Sequence, residues 1–169
     1  MIRCATVSNS DVNKVDWQEF EKLHALFEKF YPHIYQLMEL DKVGQAGLQF
    51  HLKGTGSGKQ PLLLMSHQDV VEIGDRSQWK FDPFSGDIID GCVCTTDCKH
   101  LLLSELEAVE NLLAQGWRPD YDLYLSLGYA EEVYLENDTD AAQRLAENLE
   151  KKGIRIGTIF DEGGFIQPE

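Results

Sequence analysis

The run Pro61-Leu62-Leu63-Leu64-Met65-Ser66-His67-Gln68-Asp69-Val70-Val71 constrains the chain more than any other feature. Its apolar stretch is too short for a stable helix and lacks the alternation of a half-exposed strand. It predicts a strand buried on both faces, the kind found inside a parallel or mixed sheet with helices on either side. The run ends abruptly in polar residues, so this strand delivers a histidine and a carboxylate at its tip. His67 and Asp69 are two apart, which in an extended chain places both side chains on one face. A carboxylate beside a metal-binding imidazole fixes its tautomer and raises its basicity. Taken alone, an H-x-D pair is more often a half-buried histidine with a carboxylate partner than a metal ligand.

The rest of the chain alternates elements around that strand. Phe20, Leu23, Phe27 and Phe30 recur at helical spacing from Asp16 onward, with charged residues between them, and predict an amphipathic helix packed on the core. Residues 33–43 leave helix and strand open. Residues 47–53 alternate and predict a strand, followed by a glycine-rich connection over 54–60. That connection is not a phosphate-binding loop: Lys53 stands where the first glycine is needed, Gln60 replaces the Ser or Thr after the lysine, and a strand follows instead of a helix. Trp79, Phe81, Pro83 and Phe84 fall in a loop, where core packing is the simplest role for aromatics. Residues 85–91 predict a short strand ending in a turn.

Leu102, Leu106, Val109 and Leu113 define a helix over residues 99–115, with Gly116 as a left-handed cap. Residues 122–127 form the next strand. A second helix covers 139–152, capped by Gly153, and a last strand covers 154–160. Strand, helix, strand, helix, strand implies crossover connections and an α/β fold with a largely parallel or mixed central sheet flanked by helices.

Three of these strands end in metal-ligating residue types: His67 and Asp69, then Glu131 and Glu132, then Asp161 and Glu162. Asp97 precedes a helix. The carboxyl ends of parallel strands share one edge of a sheet, and ligands bind in the crevice there, so these residues are expected to converge. One histidine with several carboxylates suits Zn²⁺, with Co²⁺ or Mn²⁺ possible. Two adjacent glutamates can divide the labour, one ligating a metal while the other takes a proton from water. Such a site performs hydrolysis.

Charge and cysteine usage narrow the partners. Fifteen basic and twenty-nine acidic residues give a net charge of −14, which repels nucleic-acid backbones and anionic membranes. No apolar run reaches the length of a membrane span, and residues 1–7 lack the apolar core of a secretory signal, so the expected location is the cytoplasm. Cys4, Cys92, Cys94 and Cys98 do not have the spacing of a disulfide framework. Cys92, Cys94, Cys98 and His100 offer soft ligands, but C-x-C-x3-C is not a usual structural-zinc spacing.

H-Q-D-V-V, the loop W-K-F-D-P-F-S-G followed by D-G, the D-x-K before a helix, the E-E pair and the terminal D-E-G-G together resemble the di-zinc exopeptidase and deacylase family. That family includes aminoacylases, glutamate carboxypeptidases, acetylornithine deacetylase and succinyl-diaminopimelate desuccinylase. The resemblance runs from about Thr6 to Gly164 and implies one or two zinc ions. It implies that His67 and Asp161 bind one metal, that Asp97 bridges two and that Glu132 binds the second. It also implies that Asp69 orients His67 and that Glu131 is the general base. Family members carry a G-R-G segment before the bridging aspartate, whereas Val93-Cys94-Thr95-Thr96 leads to Asp97 here. They also continue through a lid or dimerisation domain and return with a second histidine ligand.

The expectation is a single partial catalytic, metal-binding domain over residues 1–169, without the lid domain or the C-terminal catalytic half. Two functions fit that pattern. One is a zinc-dependent hydrolase of peptide or N-acyl amide bonds beside a free carboxylate, in truncated form. The other is a catalytically inactive remnant that binds metal, a second copy of itself or a complementary chain.

Overall fold

The computed structural model describes residues 1–56, 58–93, 98–134 and 141–163. It contains a five-stranded mixed sheet built from β1 (Glu39–Val43), β2 (Gly47–Leu52), β3 (Leu62–His67), β6 (Leu123–Gly128) and β7 (Thr158–Phe160). The spatial order is β1-β2-β6-β3-β7. The β1–β2 and β2–β6 pairs are antiparallel, whereas β6–β3 and β3–β7 are parallel. β4 (Ile88–Ile89) and β5 (Cys92–Val93) form a separate small hairpin.

The helices lie on both sides of the sheet. On one face α1 (Trp17–Phe30), α2 (Pro32–Leu37) and α3 (Lys99–Ala114) bury Leu23, Phe27, Ile34, Leu102, Leu106 and Val109 against Leu48, Phe50, Leu123, Leu125 and Leu127. On the other, α4 (Ala141–Lys151) brings Leu149 onto Leu63 and Tyr124. β6 shows why its sequence reads L-Y-L-S-L. Its leucines face one helix layer, and Tyr124 and Ser126 face the other, as the two-residue period of a strand requires.

Local chemistry sets the element ends. Asp16 caps α1 by accepting from the Gln18 amide at 3.1 Å. Gly116, at φ 77°, ends α3: its own N–H donates to Leu113, and the Trp117 N–H donates to Leu112. The Asp90-Gly91 turn joins β4 to β5 with both residues at positive φ, as a two-residue hairpin demands. β2 and β3 flank β6 without touching each other, so the glycine-rich connection between them passes close over the start of β6. A Cβ at Gly54 would sit 2.4 Å from the Tyr121 backbone, which is why a side chain does not fit there.

Several expectations are modified. Residues 33–43, ambiguous in sequence, divide between α2, which begins at Pro32, and β1. The last strand is limited to Thr158–Phe160, with residues 154–157 approaching it as a loop. Phe30 is exposed and closes no part of the core. Trp79 is 49% exposed and Phe81 39% exposed, so these two aromatics do not pack as expected, whereas Pro83 is buried and Phe84 half-buried. The expected helix start at residues 139 and 140 lies outside the described residues, as do Asp97 and Gly164.

Candidate metal centre

The site forms where β3, β6 and β7 end side by side. β3 pairs with β6 through His67↔Gly128, which sets the β3 tip three residues short of Glu131. β7 pairs with β3 up to Leu64↔Phe160, so Asp161 and Glu162 follow at the same edge. His67, Cys98, His100, Glu131, Glu132, Asp161 and Glu162 line one cavity of about 360 Å³. His67, Glu131, Asp161 and Glu162 also line an adjoining one of about 190 Å³. The described residues expected from sequence to converge therefore do so.

His67 is 3% exposed and held from behind. Its Nδ1 donates to the Asp69 carbonyl at 3.0 Å, and the Asp69 carboxylate lies 3.3 Å from the same nitrogen. Nε2 faces the carboxylates, 3.5 Å from Glu162 and 3.8 Å from Glu131. Burial opposes protonation of this imidazole. The charge and hydrogen bonding of Asp69, with Glu162 and Glu131 beyond it, outweigh that opposition and raise its pKa to about 9.

Asp69 is fully buried and does more than face His67. Its two carboxylate oxygens accept the backbone N–H groups of Glu131 and Glu132, each at 3.2 Å, so it ties the β3 tip to the turn carrying both glutamates. Burial works against its ionisation, but His67, Ser8 and the Glu131 amide hold its carboxyl below the ordinary value. For Glu131, burial is the largest influence and raises the pKa; His67 opposes this, and Glu162 and Glu132 add to it. A carboxylate with a raised pKa is the better proton acceptor.

Further residues brace this edge. The Gln68 side-chain amide donates to the carbonyls of Ala46, Leu127 and Gly128, and its oxygen faces His24 Nε2 at 2.6 Å. The N-terminal segment runs beside residues 68–70: Thr6 Oγ1 donates to Gln68, Val70 donates to Thr6, and Ser8 donates to Val70. Buried Lys99 donates to the Cys4 carbonyl at 2.7 Å. Burial lowers its pKa to about 8 against the pull of Cys4, Asp69 and Glu19. Ser66 Oγ donates to buried Glu105 at 2.8 Å.

Of the site residues expected from sequence, His67, Asp69, Glu131, Glu132 and Asp161 meet at this edge, and Asp97 lies outside the described residues. The carboxylate that β7 sets nearest His67 is Glu162; Asp161 lines the same cavities and accepts the Glu162 amide at 2.9 Å. Sequence reasoning gave no role to Cys98 beside His67, nor to Glu105. The D-x-K pattern at a helix start was the only signal that the start of α3, at Cys98 and Lys99, lies beside the site. Glu105 lies three residues after Leu102 and four before Val109, on the buried face of α3, and that spacing was the signal for its burial.

Two sets of three donors lie within 4.8 Å of one another: His67, Glu131 and Glu132, and His67, Cys98 and Glu162. Imidazole with carboxylate or thiolate donors matches divalent transition metals better than Mg²⁺ or Ca²⁺, so the donor chemistry fits a cation such as zinc.

The comparisons with known proteins agree with this geometry. Residues 63–167 match the family described as Peptidase family M20/M25/M40. Over 157 residues the chain is 40% identical to carboxypeptidase S of Saccharomyces cerevisiae, covering 87% of this chain and 27% of that protein. It is 30% identical to an N-fatty-acyl-amino acid synthase/hydrolase of Danio rerio over 96% of this chain and 31% of that protein. Among solved structures, an M20 family metallo-carboxypeptidase of Sulfolobus solfataricus shares the fold with a TM-score of 0.71 at 20% identity, over 96% of this chain and 35% of that one. Human carnosine dipeptidase 1 does so with a TM-score of 0.69 at 18% identity, over 97% and 37%. The chain thus spans about a third or less of the length of these relatives and holds only part of their fold. The motifs at the sheet edge, the family match over residues 63–167 and the shared fold show that this chain belongs to the M20 peptidase family.

Proposed function

We propose that this chain is the metal-binding part of a catalytic domain that hydrolyses peptide or N-acyl amide bonds beside a free carboxylate. The observation that carries this is His67: buried, fixed through Nδ1 by Asp69, and presenting Nε2 to an acidic cleft at the ends of three strands. The names of the relatives, a carboxypeptidase and an N-fatty-acyl-amino acid synthase/hydrolase, support the substrate class.

His67 would hold a zinc ion together with carboxylates from Glu132, Asp161 and Glu162, with Asp97 joining them by family resemblance. A divalent cation there supplies Lewis acidity toward the amide carbonyl. The chain's own residues do the rest. Asp69 keeps the His67 Nδ1 proton in place, leaves Nε2 with its lone pair toward the cleft, and positions the backbone of Glu131 and Glu132. The Glu131 side chain, half exposed at the cleft, accepts a proton from water and returns it to the leaving amine.

The rival function, a partner-binding remnant, has its own support. β7 is an edge strand with Ile159 57% exposed and Phe160 59% exposed, and an apolar cavity of about 470 Å³ lies between it and α4. Unpaired apolar edges favour association with a second chain. Among the described residues no helix is long and apolar enough to cross a membrane. A cytoplasmic location is part of the proposal.

The test is metal stoichiometry by elemental analysis after dialysis against zinc, with His67→Ala alongside. Wild type should retain zinc and the variant should lose it. A folded wild-type chain that retains none would refute the proposed metal centre.

A further inference from the structure

The two donor sets share His67 but differ in chemistry. One adds two carboxylates, Glu131 and Glu132. The other adds a carboxylate, Glu162, and the thiol of Cys98. Cys98 is fully buried at the N-terminal end of α3, where its carbonyl accepts the Leu101 and Leu102 amides. Its side chain makes no capping hydrogen bond to that helix, and it lines the cavity containing His67, Asp161 and Glu162.

We propose that Cys98 is a metal ligand of this chain, forming with His67 and Glu162 a nitrogen–sulfur–oxygen site selective for soft divalent cations. This rests on the proposed metal centre and adds a donor to it. A thiolate favours zinc, cadmium and cobalt over magnesium, calcium or manganese, whereas a carboxylate-only set discriminates far less. The positive end of the 16-residue α3 favours an anionic sulfur at that position. On binding, a sulfur–metal bond forms and the S–H proton passes to solvent.

The choice of set also bears on the proton acceptor. A carboxylate bound to a cation is a poor base, and the set containing Glu131 would engage that side chain as a ligand. A cation held by His67, Cys98 and Glu162 leaves the Glu131 side chain uncommitted beside it. Glu131 can then do the proton transfer proposed above.

Cobalt distinguishes the two sets by spectroscopy, without any turnover. The full chain is stripped with a chelator, kept reduced with a phosphine and titrated with Co²⁺. Spectra are recorded for wild type, Cys98→Ser, His67→Ala and Cys92→Ser. Wild type and Cys92→Ser should show visible cobalt bands together with a near-ultraviolet sulfur-to-cobalt charge-transfer band. That band should vanish in Cys98→Ser and in His67→Ala. Visible bands without charge transfer in folded wild type would overturn the thiolate and leave the imidazole–carboxylate centre standing. Charge transfer surviving in Cys98→Ser would assign it to another cysteine and equally overturn the inference. No cobalt signal in any protein would refute both the thiolate and the metal centre itself.

Discussion

Replacing Glu105 by glutamine should make the metal-free fold more stable above neutral pH and change it little in acid. Glu105 is 8% exposed within α3, and the Ser66 hydroxyl donates to its carboxyl at 2.8 Å. Burial raises its pKa from the ordinary 4.5 to about 7; the Ser66 hydrogen bond opposes the rise, and Asp161 adds to it. The folded state therefore holds this proton more tightly than the unfolded chain. Its contribution is full below about pH 4.5 and is lost as pH rises through about 7. Each tenfold change in a proton equilibrium is worth about 1.4 kcal/mol, so the buried carboxylate costs at most about 3 kcal/mol at alkaline pH. Glutamine keeps an oxygen for Ser66 and cannot ionise, but its amide N–H groups need partners and cost on the order of 1 kcal/mol. Above about pH 8 the variant should gain about 1–2 kcal/mol, and near pH 5 it should match wild type or fall slightly below it. Urea unfolding in the presence of a chelator at both pH values measures this, with an expected midpoint increase of roughly 0.5–1 M at the higher pH. Parallel stability profiles for the two proteins would refute the reasoning, because Glu105 would then ionise as freely in the fold as outside it.

Asp69→Asn keeps the size of the side chain but removes the charge behind His67 and one of the two acceptors for the Glu131 and Glu132 amides; zinc affinity by calorimetry should fall about 10–100-fold, and an unchanged affinity would refute its positioning role. Glu131→Gln should leave metal content intact and abolish hydrolysis in any preparation that cleaves N-acyl amino acids or dipeptides; surviving turnover would remove Glu131 as the base. Because the metal-free His67 titrates near 9, its proton competes with the cation at neutral pH. Zinc affinity should fall at least about tenfold for each pH unit on going from about pH 8 to 6, and more steeply where the Cys98 thiol also gives up its proton; a flat profile would show that His67 is not a ligand.

Much of the fold was legible because its strands carry clear periods. The continuous apolar run of β3 implied burial on both faces, and the glycines after α3 and α4 marked where those helices stop. What was not legible depends on tertiary contacts. Residues 32–43 hold Pro32 at a helix start and a β-strand in quick succession, and no local signal fixes the border between them. Trp79 and Phe81 looked like core because aromatics usually are; only the arrangement of elements leaves those two side chains exposed. The histidine and acidic pairs were visible in the sequence, since the edge shared by parallel strands collects whatever follows each strand. Cys98 was not, because its proximity to His67 follows from the packing of α3 against β3, which no spacing within either element encodes; Glu105 falls on the apolar face of α3 by its spacing from Leu102 and Val109, but its partner Ser66 comes from that same packing.

The site is built from one contiguous supersecondary unit. His67 ends β3, Cys98 precedes α3, Glu131 and Glu132 follow β6, and Asp161 and Glu162 follow β7, so the stretch from β3 to β7 brings these donors together. That stretch coincides with the family match over residues 63–167. Its bracing is local as well: Asp69 fastens β3 to the turn after β6, and Gln68 fastens the same tip to β6 and to Ala46 before β2. The proposed metal centre would therefore draw on donors and braces from this stretch and the segments beside it. Turnover asks for more, because a substrate must be held within a fraction of an ångström of the reacting groups. Here Glu131 is half exposed and, among the described residues, β7 is the edge strand of the sheet. Under the proposed function binding and catalysis are thus separable, and the expected outcome is a chain that binds zinc but hydrolyses slowly.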